Sequence, residues 1–171
     1  RWWDGAEPIW VTAEKAGLVT GTMFWPGSEA AIQGVRPTYW TKFDQSLPGD
    51  ARVDQVLDWM DRPEAERPDF ATVYFDIVDT AGHNHGPDGE ATTAAVASVD
   101  ASVARLIAGL EQRGLAQDTV LIVVSDHGMA ATSPERVMYL DDLVDPEALQ
   151  IIYSGAAVFL NPTPGREAEV E

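Results

Sequence analysis

The second half of the chain places a long amphipathic stretch between two apolar runs. Phe70 to Val78 and Thr119 to Ser125 are nearly continuous apolar runs, typical of strands buried on both faces. Residues 79–89 hold three glycines and predict a loop. Residues 90–113 repeat apolar side chains at helical spacing, and Gly114 supplies a stop signal. Strand, helix and strand in this order predict a β-α-β unit with parallel strands.

Shorter elements are predicted elsewhere along the chain. Residues 8–16 and 52–61 have the pattern of helices, while residues 18–25 and 156–160 favour strands. Residues 30–50 are rich in Gly, Pro, Tyr and Trp and predict an irregular connection. We therefore expect an α/β fold with a mostly parallel sheet and flanking helices.

Composition narrows the possible functions. The formal net charge of −17 argues against binding a nucleic-acid polymer, whose phosphates would be repelled. With no cysteine in the chain, any metal must be held by His and carboxylate side chains. No run approaches the roughly 18 apolar residues that cross a bilayer, so we expect no membrane span. The 171 residues fit one domain, and both termini lack start or stop signals. We expect a single partial domain over 1–171, truncated at both ends.

Two Asp/His pairs follow the two predicted strands of the β-α-β unit. Asp79 and His83 come after the first strand, and Asp126 and His127 come after the second. Carboxyl ends of parallel strands meet at one edge of a sheet, so we expect the pairs to lie close together. A spacing of four residues puts Asp79 and His83 on one face if they are helical; in a tight loop, Gly82 would let them meet. Imidazole and carboxylate are good zinc ligands, and together the pairs predict a metal site.

Each pair also has a plainer interpretation. A single Asp-His-Gly after a strand is more often a turn than a metal site, and the same holds for residues 79–83. It is the presence of both pairs at one sheet edge that favours metal binding. His85 is left unassigned, and Asp76 is either a buried partner or a residue that supports a metal ligand.

These motifs resemble a known family. The runs DTAGHNHGP at 79–87 and VSDHGM at 124–129 resemble the paired metal motifs of the nucleotide pyrophosphatase/phosphodiesterase family, within the alkaline phosphatase superfamily. WPGSE at 25–29 and RPTYW at 36–40 fit the same family. The resemblance covers about residues 2–161. It implies that the sheet is part of an alkaline-phosphatase-like fold.

The resemblance also implies a function and roles for particular residues. Family members use two Zn²⁺ ions and a Thr or Ser nucleophile that forms a covalent phospho-intermediate. By motif match, Asp79 and His83 bind one zinc, Asp126 and His127 bind the other, and Tyr74 stacks on the substrate base. The implied substrate is a small-molecule phosphate ester, and the implied location is periplasmic or extracellular.

Two family features are missing here, and other functions stay open. No histidine follows His127, so the late metal ligand of the family is absent. No hydroxyl of this chain lies at the nucleophile position, so we assign no catalytic residue and expect residues 1–171 alone to have little or no activity. The alternatives are a phosphomonoesterase or a lipid-head-group phosphodiesterase of the same superfamily. A non-catalytic acidic domain that binds divalent ions is the third.

Overall fold

A parallel three-stranded sheet organises the part of the chain that ends at Ala131. The computed structural model describes residues 5–155 and 157–170. Its strands β1 (Thr20–Met23), β2 (Tyr39–Thr41) and β3 (Phe70–Val73) lie in the order β2-β1-β3. Both neighbours of β1 run parallel to it. The predicted α/β fold with a parallel sheet is confirmed.

Four α-helices accompany this sheet, and three of them match the predicted helices. They are α1 (Ile9–Lys15), α2 (Gly49–Met60), α3 (Ile77–His85) and α4 (Glu90–Gln112). Pro8 and Pro48 precede α1 and α2 in extended conformation, where a proline is tolerated because the first turn needs no N–H donor. Gly114, at φ +68°, follows α4 in the left-handed conformation that ends many helices.

The main core lies between the sheet and the pair α2 and α4. Met23 of β1 packs with apolar side chains of both helices, all of them buried: Val53, Val56, Leu57, Trp59, Leu106 and Leu110. Gly109 allows α4 to approach α2, because a Cβ there would lie 2.4 Å from Leu57 Cδ1. At the solvent side of the same helix pair, Arg105 and Arg113 of α4 form ion pairs with Asp54 and Asp61.

The predicted strand Thr119–Ser125 is wrong for this structure. Its apolar side chains are exposed, from 43% at Leu121 to 86% at Val120. The segment has no strand conformation, because within the described residues no strand of the sheet forms backbone hydrogen bonds with it. Apolar composition predicted burial on both faces, but composition alone does not supply a neighbouring strand.

The predicted strand Phe70–Val78 ends early, at Val73, and the predicted loop 79–89 begins as helix α3. The β-branched side chains of Ile77 and Val78 favoured a strand, and the glycines of residues 79–89 favoured a loop over a helix. Packing of α3 against α4 overrides these local preferences. In the segment predicted to be irregular, β2 forms by pairing with β1.

The residues from Thr132 onward form a second unit, described separately. It contains an antiparallel pair, β4 (Leu149–Ser154) and β5 (Val158–Pro162). The strand predicted at 156–160 is present from Val158, whereas Ala156 lies outside the described residues. Short 3-10 turns in the two units cover Glu64–Glu66, Ala116–Asp118, Pro134–Arg136, Leu140–Asp142, Pro146–Ala148 and Glu167–Glu169.

One helix of the described residues, α4, is long and apolar enough to cross a membrane by length and composition. The apolar-run criterion applied to the sequence did not detect it. Buried core helices meet the same two criteria; α4 contacts both α2 and α3, but only 22% of its apolar window is buried. This feature alone does not indicate a membrane span.

Candidate functional site

Helix α3 carries the first predicted pair of metal ligands. Asp79 lies in its first turn and His83 one turn later, with 3.4 Å between Asp79 Oδ1 and His83 Nε2. Of the two conformations that the spacing allowed, the structure has the helical one. Residues four apart share a face of a helix, so the two side chains point into the same region.

The second pair is held against α3 by a close contact at Gly82. A Cβ on Gly82 would lie 2.3 Å from the sulfur of Met129. Because the segment is helical, Gly82 does not have the role that the tight-loop alternative gave it; its missing side chain instead permits the close approach of Met129. This contact brings His127 Nε2 to 3.7 Å from Asp79 Oδ1 and to the same distance from Asp126 Oδ2. All four predicted ligands thus lie in one region.

Asp79 Oδ1 is the central atom of this arrangement. It is buried, yet it has no hydrogen-bond partner within the described residues, although the imidazoles of His83 and His127 flank it. A buried carboxylate oxygen without a partner is costly and points to a missing cation or donor. Two ligand atoms that share a tetrahedral zinc at about 2.1 Å lie about 3.4 Å apart, which is close to the separations found here. The separations of Asp79 from His83 and from His127 are therefore compatible with side chains that share a zinc ion.

The ligand set is nevertheless incomplete. In residues 5–155 and 157–170, no group of three or more His, Cys, Asp or Glu side chains is arranged to hold a metal ion by itself. Asp79, His83, Asp126 and His127 approach one another at 3.4–3.7 Å without closing around one point. The side chains are also largely open to solvent, with His83 71% exposed.

His127 is oriented by its own backbone neighbour. Its Nδ1 lies 2.9 Å from the carbonyl oxygen of Gly128. A carbonyl only accepts hydrogen bonds, so Nδ1 carries the proton and Nε2 faces Asp79 with its lone pair when the ring is neutral. The hydrogen bond to Gly128 raises the pKa of His127, and the carboxylates of Asp126 and Asp79 raise it further.

Tyr74 lies directly after β3, close to the candidate metal ligands. Burial raises the pKa of its hydroxyl, and the negative charges of Asp126, Asp76 and Asp79 add to that effect. The ring of Phe43 lies 6.4 Å from the ring of Tyr74, between centroids, at a tilt of 59°. Tyr74 is partly buried against the core and Phe43 is 41% exposed, so the open edge of this aromatic pair can contact a flat base; the sequence had not indicated Phe43.

Two of the remaining polar residues have other partners. His85 lies at the end of α3 and lines a shallow cavity of about 240 Å³ together with Thr80 and Gln45, away from the ligands Asp79 and His83. Asp76, a buried residue, forms an ion pair with Arg52. The sequence had predicted a buried role for Asp76 as one of two possibilities, but it gave no sign of the arginine.

Comparison with known proteins identifies close relatives over most of the chain. All 171 residues match the family model for type I phosphodiesterase / nucleotide pyrophosphatase. A venom phosphodiesterase of Naja atra is 42% identical over 91% of this chain and 19% of its own length. Ectonucleotide pyrophosphatase/phosphodiesterase family member 3 of Mus musculus is 40% identical over 91% of this chain and 18% of its length. The chain thus spans less than a fifth of these relatives.

Among solved structures, murine ectonucleotide pyrophosphatase / phosphodiesterase 5 is similar, with a TM-score of 0.86. It is 32% identical, and the match covers 96% of this chain and 44% of that one. The matched structure is of an inactive variant in complex with AMP. The similarity in fold thus extends over nearly the whole of this chain.

Proposed function

Because this chain belongs to the type I phosphodiesterase / nucleotide pyrophosphatase family, we propose that the protein containing it hydrolyses phosphodiester or pyrophosphate bonds in nucleotides or related small esters. The observation that carries the proposal is the buried oxygen Asp79 Oδ1, which lies between His83 and His127 and has no hydrogen-bond partner in the part of the chain that the structure describes. The AMP complex of the murine relative supports a nucleotide as the substrate class.

We further propose that these side chains hold Zn²⁺. Asp79 and His83 would contribute to one ion, and Asp126 and His127 to a second. When bound, two such ions supply Lewis-acid stabilisation of the attacking and leaving oxygens of an in-line displacement. A carboxylate and an imidazole give each site two of its ligands, and catalytic zinc usually has three protein ligands. The remaining ligands are not assigned to this chain.

The reaction route in the proposal is a two-step displacement at phosphorus. A Thr or Ser hydroxyl oxygen forms a bond to phosphorus, the bond to the leaving group breaks, and water later displaces the enzyme oxygen. No hydroxyl of residues 1–171 is assigned as this nucleophile. Tyr74 would stack on the base of the substrate. Its contact with the ring of Phe43 and the influence of the Asp126 and Asp79 charges on its hydroxyl support this role.

The names of the relatives support a location outside the cell. They are venom phosphodiesterases and ectonucleotide enzymes. We propose a periplasmic or extracellular location for this protein too. Detection of the protein in the periplasmic or secreted fraction would support this, and its retention in the cytoplasm would contradict it.

The test uses the protein expressed from its complete reading frame and two histidines of the same helix. His83→Ala removes a proposed ligand, whereas His85→Ala removes an imidazole two residues away that has no such role. Outer-shell substitutions already cost roughly 10–100-fold in metal affinity or activity, so we expect His83→Ala to lower kcat/KM for a nitrophenyl nucleotide diester by more than about 100-fold. We expect His85→Ala to change it little.

Metal analysis and a second substrate complete the test. Zinc content measured by mass spectrometry should fall with His83→Ala and not with His85→Ala. Retention of full activity and zinc by His83→Ala would refute the proposed site. Faster turnover of nitrophenyl phosphate than of the diester would instead identify a phosphomonoesterase.

A further inference from the structure

A buried arginine lies beneath the candidate site. The side chain of Arg52, from α2, is only 1% exposed, and that of its partner Asp76 is 11% exposed. Arg52 Nη1 donates a hydrogen bond to Asp76 Oδ1 at 2.8 Å. Asp76 is the residue that precedes α3. Its carboxylate accepts a hydrogen bond from Arg52, and among the described residues it accepts none from the N–H groups of the helix.

The guanidinium connects three separate parts of the chain. Besides Asp76, Nη1 donates to the carbonyl oxygen of Tyr74, and Nε donates to that of Leu47, each at 2.9 Å. Arg52 Cζ also lies 5.0 Å from the centroid of the Phe24 ring. One rigid side chain therefore fixes the segment before α2, the end of β3 and the start of α3.

These contacts determine the path of the chain from Tyr74, the proposed base-stacking residue, to Asp79, the proposed metal ligand. Tyr74 precedes the ion pair and Asp79 follows it, only three residues after Asp76. A buried ion pair costs desolvation and often adds little stability over an apolar pair, so stability alone is a weak explanation for it. The planar fork of arginine, by contrast, holds several acceptors at fixed positions, which a lysine cannot do.

We propose that Arg52 is a positioning residue of the candidate site: it holds the backbone of Tyr74 and the start of α3 so that the Tyr74 ring and the Asp79 carboxylate keep their relative positions. Arg52 itself contacts neither metal nor substrate. This inference rests on the proposed function for what the site binds, but the geometric part of it stands on the contacts alone.

The test is Arg52→Lys in the protein expressed from its complete reading frame, with Arg105→Lys as the matched control. Arg105 forms an equally direct pair with Asp54, at 2.7 and 2.9 Å, but on the exposed side of α2 and α4. We expect Arg52→Lys to lower zinc affinity and kcat/KM roughly 10–100-fold, as outer-shell substitutions do, and Arg105→Lys to leave both unchanged. Hydrogen exchange of peptides covering 74–85 should become about tenfold faster in Arg52→Lys, while peptides of α1 exchange as before.

Each outcome decides the inference. Unchanged hydrogen exchange of residues 74–85 in Arg52→Lys would overturn the inference. Faster exchange of these residues without any loss of zinc affinity would also overturn it, because Arg52 would then have a structural role only. If Arg52→Lys fails to fold, Asp76→Ala removes the acceptor of the Arg52–Asp76 contact and is judged by the same measurements. Absence of zinc binding in the unsubstituted protein would refute the proposed function, and the exchange measurement would then decide the geometric part by itself.

Discussion

The contact between α2 and α4 permits a test of the packing that supports the whole site. Gly109 has no side chain, and Leu57 of the facing helix occupies the space where one would be. A Cβ at Gly109 would lie 2.4 Å from Leu57 Cδ1 and 2.7 Å from Cδ2. Leu57 is 6% exposed and packs among Val53, Leu106 and Leu110, so it has no free space into which to rotate. The perturbation is Gly109→Ala, alone and combined with Leu57→Ala.

Two opposing effects set the magnitude. Alanine in a helix interior is more favourable than glycine by about 1 kcal/mol. Overpacking a filled core costs about 1–3 kcal/mol, so we expect Gly109→Ala alone to destabilise the protein by about 0–2 kcal/mol. Leu57→Ala alone should cost about 2–5 kcal/mol. Leu57→Ala removes Cδ1 and Cδ2, the atoms that a Cβ at Gly109 would meet. In the Leu57→Ala background we therefore expect Gly109→Ala to stabilise the protein by about 1 kcal/mol.

The assay is urea unfolding followed by far-UV circular dichroism, applied to the four proteins of this double-mutant cycle. The expected coupling is about 1–3 kcal/mol, with a change of sign for Gly109→Ala between the two backgrounds. Met23→Ala, in β1 of the same core, is the control background, where Gly109→Ala should remain destabilising. A coupling below about 0.5 kcal/mol with Leu57→Ala would refute the close helix contact.

Two further predictions concern other parts of the fold. Burial raises the pKa of Glu14, but hydrogen bonds from Thr20 and Thr38 outweigh that effect and hold it below the ordinary value of 4.5. Because the pKa of Glu14 is lower in the folded than in the unfolded protein, its ionised carboxylate stabilises the fold above the unfolded pKa, and this stabilisation is lost as the pH falls through the folded pKa. In urea unfolding, Glu14→Gln should therefore be less stable than the unsubstituted protein by about 1.5–3 kcal/mol at pH 7, and the difference should disappear below pH 4.5. Gly82→Ala should displace Met129 and with it residues 126–129, so zinc binding should weaken about tenfold in a titration. Because the exposed side chain of Met129 can move, the free energy of unfolding should fall by less than about 1 kcal/mol.

Both predictions have clear contrary outcomes. Glu111→Gln, on the exposed face of α4, is the control for Glu14 and should leave stability at pH 7 unchanged. A Glu14→Gln effect that persists undiminished in acid would show that charge is not its cause. For Gly82, equal zinc affinity in the alanine variant would show that the contact with Met129 does not place residues 126–129.

Several elements could be predicted from the sequence because their signals were local. Helix α4 followed from apolar spacing with Gly114 at its end. A parallel sheet was also expected, but from strands at 70–78 and 119–125, whereas the parallel pairs observed are β1 with β2 and β1 with β3. The convergence of Asp79 and His127 on one region also followed, since both were expected at one sheet edge. The route was different, however: α3 and the contact at Gly82 bring them together, and the second strand of the predicted β-α-β unit is absent.

What could not be predicted depends on contacts distant in sequence. Nothing near Arg52 indicated that it would be buried, because its partners Tyr74 and Asp76 are more than twenty residues away. The same applies to Phe43 beside Tyr74. For residues 119–125 the local signal was strong, but a strand needs a hydrogen-bonded neighbour, and composition does not reveal whether one is present.

The exposed apolar segment between Thr119 and Ser125 affects how residues 1–171 behave at high concentration. Val120, Ile122 and Val123 are β-branched, uncharged and more than 70% exposed, and no proline interrupts them. Short segments with these properties pair with identical segments of other molecules and nucleate β-aggregates. Self-association of residues 1–171 at this segment should therefore increase with concentration in light scattering. A lysine in place of Ile122 should suppress it, which offers a practical route to soluble material for the metal titrations.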